Sequence, residues 1–235
     1  MLVAAAVCPC PPLLVPEVAS AAAPELDAAR AACADALGVL AAARPDRLLV
    51  VGPAEAEGRG TFPAGSRGSF RGFGVEVDVQ LGTAAGSGRE LPASLAVAAW
   101  LLERVGWADA PVEGLGVGEP LAAERCIEVG REIAAGPDRV AMLVMGDASA
   151  CRTLKAPGYL DERAEPFDAA VARALGAADL GALRGLDAEL ASELKASGRA
   201  PWQVLAGAAE GAGLSGALLY ESAPYGVGYL VATWS

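Results

Sequence analysis

Histidine is absent from the 235 residues of this chain. Its imidazole is the only side chain whose ordinary pKa lies near neutrality, and it is the commonest metal ligand in proteins. The absence excludes Ser-His-Asp triads, Cys-His pairs and iron sites built from two histidines and one carboxylate. Any catalysis must therefore use Cys, Asp, Glu, Tyr, Arg, Lys or backbone amides.

Clustered positive charge is also missing. The 18 basic residues face 29 acidic ones, which gives a net charge of −11, and no run rich in Arg or Lys interrupts this balance. Nucleic acids and anionic membranes attract proteins through clustered positive charge. We therefore expect neither of them as a partner.

Long apolar runs and a secretory signal are lacking as well. The longest apolar stretches, such as Leu48–Val51 and Val140–Met145, fall far short of the roughly 20 residues that span a bilayer. The start of the chain has no basic segment of the kind that opens a signal peptide. Its five cysteines are odd in number and irregularly spaced, unlike a secreted disulfide framework. These features predict a cytoplasmic protein with free thiols.

What the chain does contain is a regular alternation of apolar strands and helices. This order predicts an α/β fold, an αβα sandwich whose mainly parallel central sheet is covered by helices on both faces, in one domain over residues 1–235. The predicted strands are Leu2–Val7, Arg47–Val51, Val75–Val79, Val112–Val117, Arg139–Met145, Gly216–Glu221 and Gly226–Thr233. The predicted helices are Pro24–Ala43, Leu91–Val105, Glu119–Ala135 and several between Glu165 and Gly211.

The segment Val75–Val79 differs from the other strands because valines alternate with polar residues. Such alternation is typical of a half-exposed edge strand. An edge strand can pair with its copy in a second chain, so this segment is a candidate contact of a homo-oligomer.

In parallel sheets the ligand site lies beyond the carboxyl ends of the strands. This rule selects three loops, Cys8–Pro16, Gly52–Gly72 and Gly146–Tyr159. We expect a small-molecule ligand or a partner to bind where these loops meet.

Cysteines on two of these loops are candidate metal ligands. Cys8 and Cys10 flank a proline at the end of the first strand, and Cys151 follows the Gly146–Ala150 turn. Thiolates suit Zn or Cu(I), so the three residues predict a metal–thiolate site if the fold brings them together. A redox-active thiol or disulfide and simple core packing are the alternatives. Cys33 and Cys126 lie on predicted helices and are expected in the core.

The loop after the third apolar strand carries two further sets of candidates. Asp147 is a candidate general base or ligand and Ser149 a hydrogen-bond donor, or both residues simply cap the turn. A nucleophilic role for Ser149 would need Lys155 as its activating base, because no histidine is present. Arg152, Lys155 and Tyr159 are candidate ligand-binding residues for an anion, or they form a solvated loop with screened charges.

Several short segments of the chain together carry a resemblance to a known family. These segments are Cys8–Leu14, Leu48–Pro53, Leu143–Ser149, Pro166–Asp168, Gly198–Trp202 and Pro224–Tyr229. They resemble LigB-like proteins, the class III extradiol ring-cleavage dioxygenase superfamily, and the Gly198–Trp202 segment is similar to the related Memo-type proteins. The resemblance implies an αβα sandwich with one site at the strand ends.

The same resemblance implies that the family's iron chemistry is absent here. In those dioxygenases iron(II) is held by two histidines and one glutamate, and another histidine acts as acid and base. The first ligand position here is Cys10, and the second is replaced by Ala54 and Glu55. The acid/base position is Asp147 or Ser149, and the third ligand has no acidic match nearer than Glu193 and Glu210.

Two classes of function follow from these observations. The first is an accessory, non-catalytic protein that keeps a cleft for a small ligand or partner. The second is an enzyme with repurposed chemistry at Cys10, Asp147 and Cys151, with Cys8 and Glu55 as further candidate ligands for Zn or Cu.

Overall fold

The computed structural model describes residues 1–85 and 89–235. The strands are β1 Leu2–Cys8, β2 Arg47–Pro53, β3 Gly60–Phe62, β4 Arg67–Ser69, β5 Asp78–Gln80, β6 Val112–Val117, β7 Val140–Met145, β8 Gly216–Ser222 and β9 Tyr229–Trp234. The α-helices are α1 Pro16–Ala19, α2 Asp27–Ala42, α3 Ala93–Arg104, α4 Ala123–Ala134, α5 Ala164–Gly176, α6 Leu180–Arg184, α7 Ala188–Glu193 and α8 Arg199–Ala208.

A seven-stranded sheet with the order β3-β6-β2-β7-β1-β9-β8 forms the centre of the molecule. Its four middle strands, β6, β2, β7 and β1, run parallel. The outer strands β3, β9 and β8 are antiparallel to their neighbours. The predicted α/β class with a mainly parallel sheet is therefore confirmed.

Helices cover both faces of this sheet because successive strand residues point to opposite sides. On one face, Ala6, Val50 and Leu143 pack with α2 and α3. On the other face, Val7, Val51 and Val144 pack with α5 and α8. Both strand faces are buried, which explains why the central strands are continuously apolar rather than alternating.

Two predictions of local structure need correction. Of the predicted edge strand Val75–Val79, only Asp78 and Val79 adopt strand geometry, as part of β5, which pairs with β4 in a separate two-stranded sheet. The central sheet ends instead at β3 and β8. The predicted first helix begins later than expected, since Ser20–Leu26 is a 3₁₀ helix containing Pro24, and α2 starts at Asp27.

Among the described residues, no helix combines the length and the apolar character needed to cross a bilayer.

Candidate functional site

The loops that follow β1 and β7 begin side by side at one edge of the sheet. Cys8 at the end of β1 is paired with Met145 at the end of β7. The N–H of Gly146 then donates a hydrogen bond to the carbonyl of Cys8 over 3.0 Å. Because parallel strands end at the same edge, the turns carrying Cys10 and Asp147 face each other.

Asp147 lies where three segments of the chain meet. Its Oδ1 accepts a hydrogen bond of 2.9 Å from the N–H of Cys10. Its own N–H donates to Oγ of Ser197 over 3.0 Å, and its carbonyl accepts from the N–H of Gly198 over 2.9 Å. The loop after β1, the loop after β7 and the start of α8 are thereby held together around this residue.

The carboxyl group of Asp147 has no cationic partner among the described residues. The hydrogen bond from Cys10 is also the only one that these residues donate to it. Burial raises the pKa of Asp147 to about 7, and the Cys10 N–H opposes this rise only in part. In a chain without histidine, this carboxyl group can exchange a proton at neutral pH.

Tyr229 brings a second polar group to the same place. It opens β9, whose antiparallel pairing with β1 places its first residues near the end of β1, and it is only 2% exposed. Burial raises the pKa of Tyr229, and the charges of Asp147 and Cys10 raise it further. Its hydroxyl bonds to no described residue and yet is not sealed from solvent, so it faces accessible space beside Asp147.

Cys10 is a neutral thiol in this setting. It is 7% exposed, and burial together with the neighbouring Asp147 raises its pKa well above the ordinary value, although a hydrogen bond with Ser197 opposes the rise. Cys8 is fully buried, and contact with Cys33 and burial raise its pKa as well. Without a bound metal, neither residue is a thiolate at neutral pH, and the thiolate is the form that acts as a nucleophile.

The predicted metal site is not assembled. Cys8 and Cys10 belong to the core beneath α2 and α3, whereas Cys151 belongs to the core on the opposite face of the sheet. The Cys151 thiol donates to the carbonyl of Leu194 over 3.4 Å, and Glu55 is exposed. Within residues 1–85 and 89–235, no group of three or more Cys, Asp or Glu side chains is placed to hold a metal ion.

Ser149 belongs to a buried network on that opposite face. It is fully buried, and its N–H and hydroxyl donate to the two carboxylate oxygens of Asp168 over 2.8 and 2.9 Å. Arg152 donates to Asp168 over 3.2 Å and forms an ion pair with Glu165. Ser149 therefore positions the loop and does not contact the space beside Asp147, and Arg152 is already paired.

The other predicted anion-binding residues lie on the surface. Lys155 is exposed, and Tyr159 is 63% exposed with a positive φ of 66°. Neither contacts Asp147, and with Arg152 engaged by Asp168 the three residues do not form an anion site. The prediction of a solvated loop fits their placement.

Sequence reasoning missed two residues of this site, Ser197 and Tyr229. Both adjoin segments that carry the family resemblance, since Ser197 precedes Gly198–Trp202 and Tyr229 ends Pro224–Tyr229. Their position next to these segments was the one sequence signal that could have pointed to them. Tyr225 lies at the rim, is 42% exposed and donates its hydroxyl to Oε2 of Glu25 over 2.6 Å.

A groove of about 1210 Å³ lies elsewhere, between the β4–β5 hairpin and α3. Charged side chains of both signs line it, among them Arg67, Arg71, Asp78 and Glu103. Arg71 is paired with Asp78 over 2.7 Å. We define the strand-end site as Cys10, Asp147, Ser197 and Tyr229. None of these residues lines the groove, so the two features are separate.

Comparison with known proteins bears on the fold. No protein-family model matches the chain, and no curated protein matches it. Eighteen chains of solved structures do match. One is the crystal structure of the uncharacterized protein JW3007 from Escherichia coli K12, which is 14% identical, with a TM-score of 0.56 over 99% of this chain and 100% of that chain. At this identity the likeness establishes a shared fold over the whole chain.

Proposed function

We propose that this protein is a divergent relative of the LigB-like superfamily that binds a small molecule at the strand-end site, without iron-dependent ring cleavage. The observation that carries the proposal is Asp147 with its unpaired Oδ2, beside the unpartnered hydroxyl of Tyr229. Both lie at the sheet edge where α/β proteins bind their ligands.

The physical argument rests on polar atoms that no described residue satisfies. The Tyr229 side chain is almost wholly buried and Asp147 is half-buried, yet the Tyr229 hydroxyl and Oδ2 of Asp147 are not sealed from solvent. Water therefore satisfies both groups in the free protein. A bound ligand that supplies partners to both would replace that water, as in many active and binding sites.

Iron does not fit the residues present. The positions that resemble the family's ligands carry Cys10, Ala54 and Glu55. Glu55 is exposed, whereas Cys10 is buried in the core beneath α2 and α3, and the described residues place no third Cys, Asp or Glu to complete a metal site with them. The proposed role is therefore binding, or chemistry that depends on the protein's own acid and base groups.

Acid–base catalysis is a second candidate, favoured by one observation. A general acid or base is most effective when its pKa lies near the working pH, and burial raises the pKa of Asp147 to about 7. Catalysis by a thiolate is disfavoured because the pKa values of Cys8, Cys10 and Cys151 are all raised.

The proposal is tested by screening a general fragment library against the protein with ligand-observed NMR. Hits are compared between the wild-type protein, Asp147→Asn and Glu55→Gln, a control on a neighbouring loop. We expect hits whose binding is lost in Asp147→Asn and retained in Glu55→Gln. Binding that ignores Asp147, or stoichiometric metal in the purified protein that Cys10→Ser removes, would overturn the proposal.

A further inference from the structure

We propose that the strand-end site takes the cationic head group of an organic amine, with Asp147 as its counter-charge. This inference rests on the proposed function and names the chemical class of the ligand.

The first support is the missing counter-charge. Buried carboxylates are usually paired with a cation or a metal, and Asp168 follows this rule through Arg152. Asp147 forms no ion pair with any described residue. Since Arg152 is engaged and Lys155 is exposed, a positive charge at Asp147 has to come from a bound molecule.

The second support is the set of free hydrogen-bonding atoms. An ammonium group has three N–H donors and no acceptor. The site offers Oδ2 of Asp147 and the oxygen of Tyr229 as acceptors without a protein donor, and Ser197 Oγ as a further acceptor beside them. A carboxylate or phosphate ligand would instead meet the charge of Asp147 with no described cation to balance it.

The third support comes from the surroundings of the site. Tyr225 stands at the rim with its backbone at a positive φ of 58°, a conformation that is costly for a non-glycine residue and is concentrated at functional sites. Its hydroxyl is fixed by the carboxylate of Glu25. Tyr225 lies close enough to Tyr229 to raise its pKa, and an aromatic ring beside a carboxylate attracts organic cations. The net charge of −11 attracts them over longer distances.

The size of the opening limits what reaches Asp147. Cys10 is only 7% exposed, and Asp147 is half-buried. We therefore infer a ligand that presents only a small head group, such as a primary ammonium, to the carboxylate and keeps its remaining bulk outside.

Amine binding should depend on pH through Asp147. The groups that face it are Cys10 from the loop after β1, Ser197 from the segment before α8 and Tyr229 from β9. The raised pKa values of Cys10 and Tyr229 keep both neutral up to mildly alkaline pH, and a serine hydroxyl does not titrate. An ammonium ion favours the ionised carboxylate, so its binding at neutral pH should release a proton from Asp147.

The experiment uses three probes of equal size and different charge: benzylamine, benzyl alcohol and benzoate. Calorimetry measures their affinities at pH 5.5 and pH 8, and repeating the titration near pH 7 in buffers of different ionisation heat measures proton release. We expect benzylamine to bind most tightly, with an affinity that rises about thirtyfold between these pH values as Asp147 ionises. Proton release should accompany benzylamine binding and no other.

Three variants complete the design. Asp147→Asn keeps an oxygen that can accept from the Cys10 N–H, and it should abolish both the preference for benzylamine and the pH dependence. Tyr229→Phe removes one acceptor and should weaken benzylamine binding without changing its pH dependence. Glu55→Gln, which removes a negative charge from an exposed neighbouring loop, should bind benzylamine like the wild-type protein.

The outcomes separate this inference from the proposed function. Equal or tighter binding of benzoate or benzyl alcohol, or benzylamine binding that survives Asp147→Asn, would overturn the amine inference. If none of the three probes binds while library fragments do bind through Asp147, the inference fails and the proposed function stands. If no compound of any class binds through Asp147, both fail.

Discussion

Asp147 and Ser149 are two residues apart on one loop, yet their side chains have different surroundings: Asp147 lies at the sheet edge beside Cys10, whereas Ser149 is buried against Asp168 of α5. The Asp147 side contains a carboxyl group with one backbone donor and no cation. On the Ser149 side, the carboxylate of Asp168 accepts three hydrogen bonds, from the N–H and hydroxyl of Ser149 and from Arg152. The carboxyl group of Asp147 is therefore available to a ligand, whereas that of Asp168 is part of a structural hydrogen-bond network.

The comparison shows what distinguishes a candidate site from a structural network of similar residues. Burial raises the pKa of both carboxyl groups. At Asp168 the bonds from Ser149 and Arg152 oppose that rise, and the network is complete. At Asp147 the opposing contribution is a single backbone N–H, which leaves the group free to interact with a ligand.

The largest effect is expected from breaking the complete network. Asp168→Ala leaves Arg152 and the donors of Ser149 without their acceptor, and removing one member of a buried pair costs about 3–5 kcal/mol of unfolding free energy. Urea denaturation measures the loss. Ser149→Ala, which removes only one donor, should cost less. A loss for Asp168→Ala no larger than that of Ser149→Ala would show that the network does not support the fold.

Replacing Asp147 should change the unfolding free energy by an amount that depends on pH. Because the folded pKa of Asp147 lies above its unfolded value, its ionisation destabilises the fold as pH rises from about 4 to about 7. Asp147→Asn lacks this penalty, so its stability relative to the wild-type protein should grow by about 2–4 kcal/mol over that window and then level off. Thermal melts at half-unit pH intervals measure this difference.

The matched control for that experiment is Asp161→Asn. Arg163 lowers the pKa of Asp161 to about 2, so the ionised form of this partly exposed residue stabilises the fold at neutral pH. Its contribution is lost only as pH falls from about 4 towards 2. A constant offset between Asp147→Asn and the wild-type protein from about pH 4 to about pH 7 would contradict the raised pKa of Asp147.

A smaller loss of unfolding free energy is expected from adding a side chain beside the Asp168 network. A Cβ added to Gly228 would lie 2.6 Å from Oδ2 of Asp168 and 2.8 Å from Cβ of Ala148, so Gly228→Ala should cost about 1–3 kcal/mol. In contrast, a Cβ at Gly38, within α2, meets no atom within 4 Å. Gly38→Ala should stabilise the protein by about 0.5–1 kcal/mol. Similar melting temperatures for the two variants would contradict this packing.

The smallest effect is expected at the hydroxyl of Tyr229. Since no described residue bonds to it, Tyr229→Phe should change the unfolding free energy by less than about 0.5 kcal/mol. Trp234→Phe is the contrasting variant, because its indole N–H donates to the carbonyl of Leu175 over 2.7 Å and its removal should cost clearly more. Equilibrium denaturation of both proteins measures these changes, and a loss for Tyr229→Phe as large as that for Trp234→Phe would show that the Tyr229 hydroxyl does stabilise the fold.

Local sequence patterns were sufficient for the central strands and weaker at the margins of the fold. Val112–Val117 was predicted with the bounds that the structure has, although Glu113 within it is exposed. The predicted Arg139–Met145 differs by one residue from β7, whose six residues are all buried and form a continuous apolar run. The prediction of Val75–Val79 as an edge strand of the central sheet was wrong, since the same alternation also fits a short hairpin beside α3. The loop rule selected Cys10 and Asp147, but it could not identify Ser197 and Tyr229, which are distant in the chain.

The sequence by itself determined the α/β class, the continuous apolar strands and the absence of any histidine-based chemistry. Only the tertiary structure decided that Cys151 faces away from Cys10, that Ser149 and Arg152 serve Asp168, and that Asp147 stands unpaired beside Tyr229. Composition and periodicity are local properties of the chain, and they specify which residues are buried. Which polar groups find partners depends on contacts between distant segments and on which side of the sheet each residue falls.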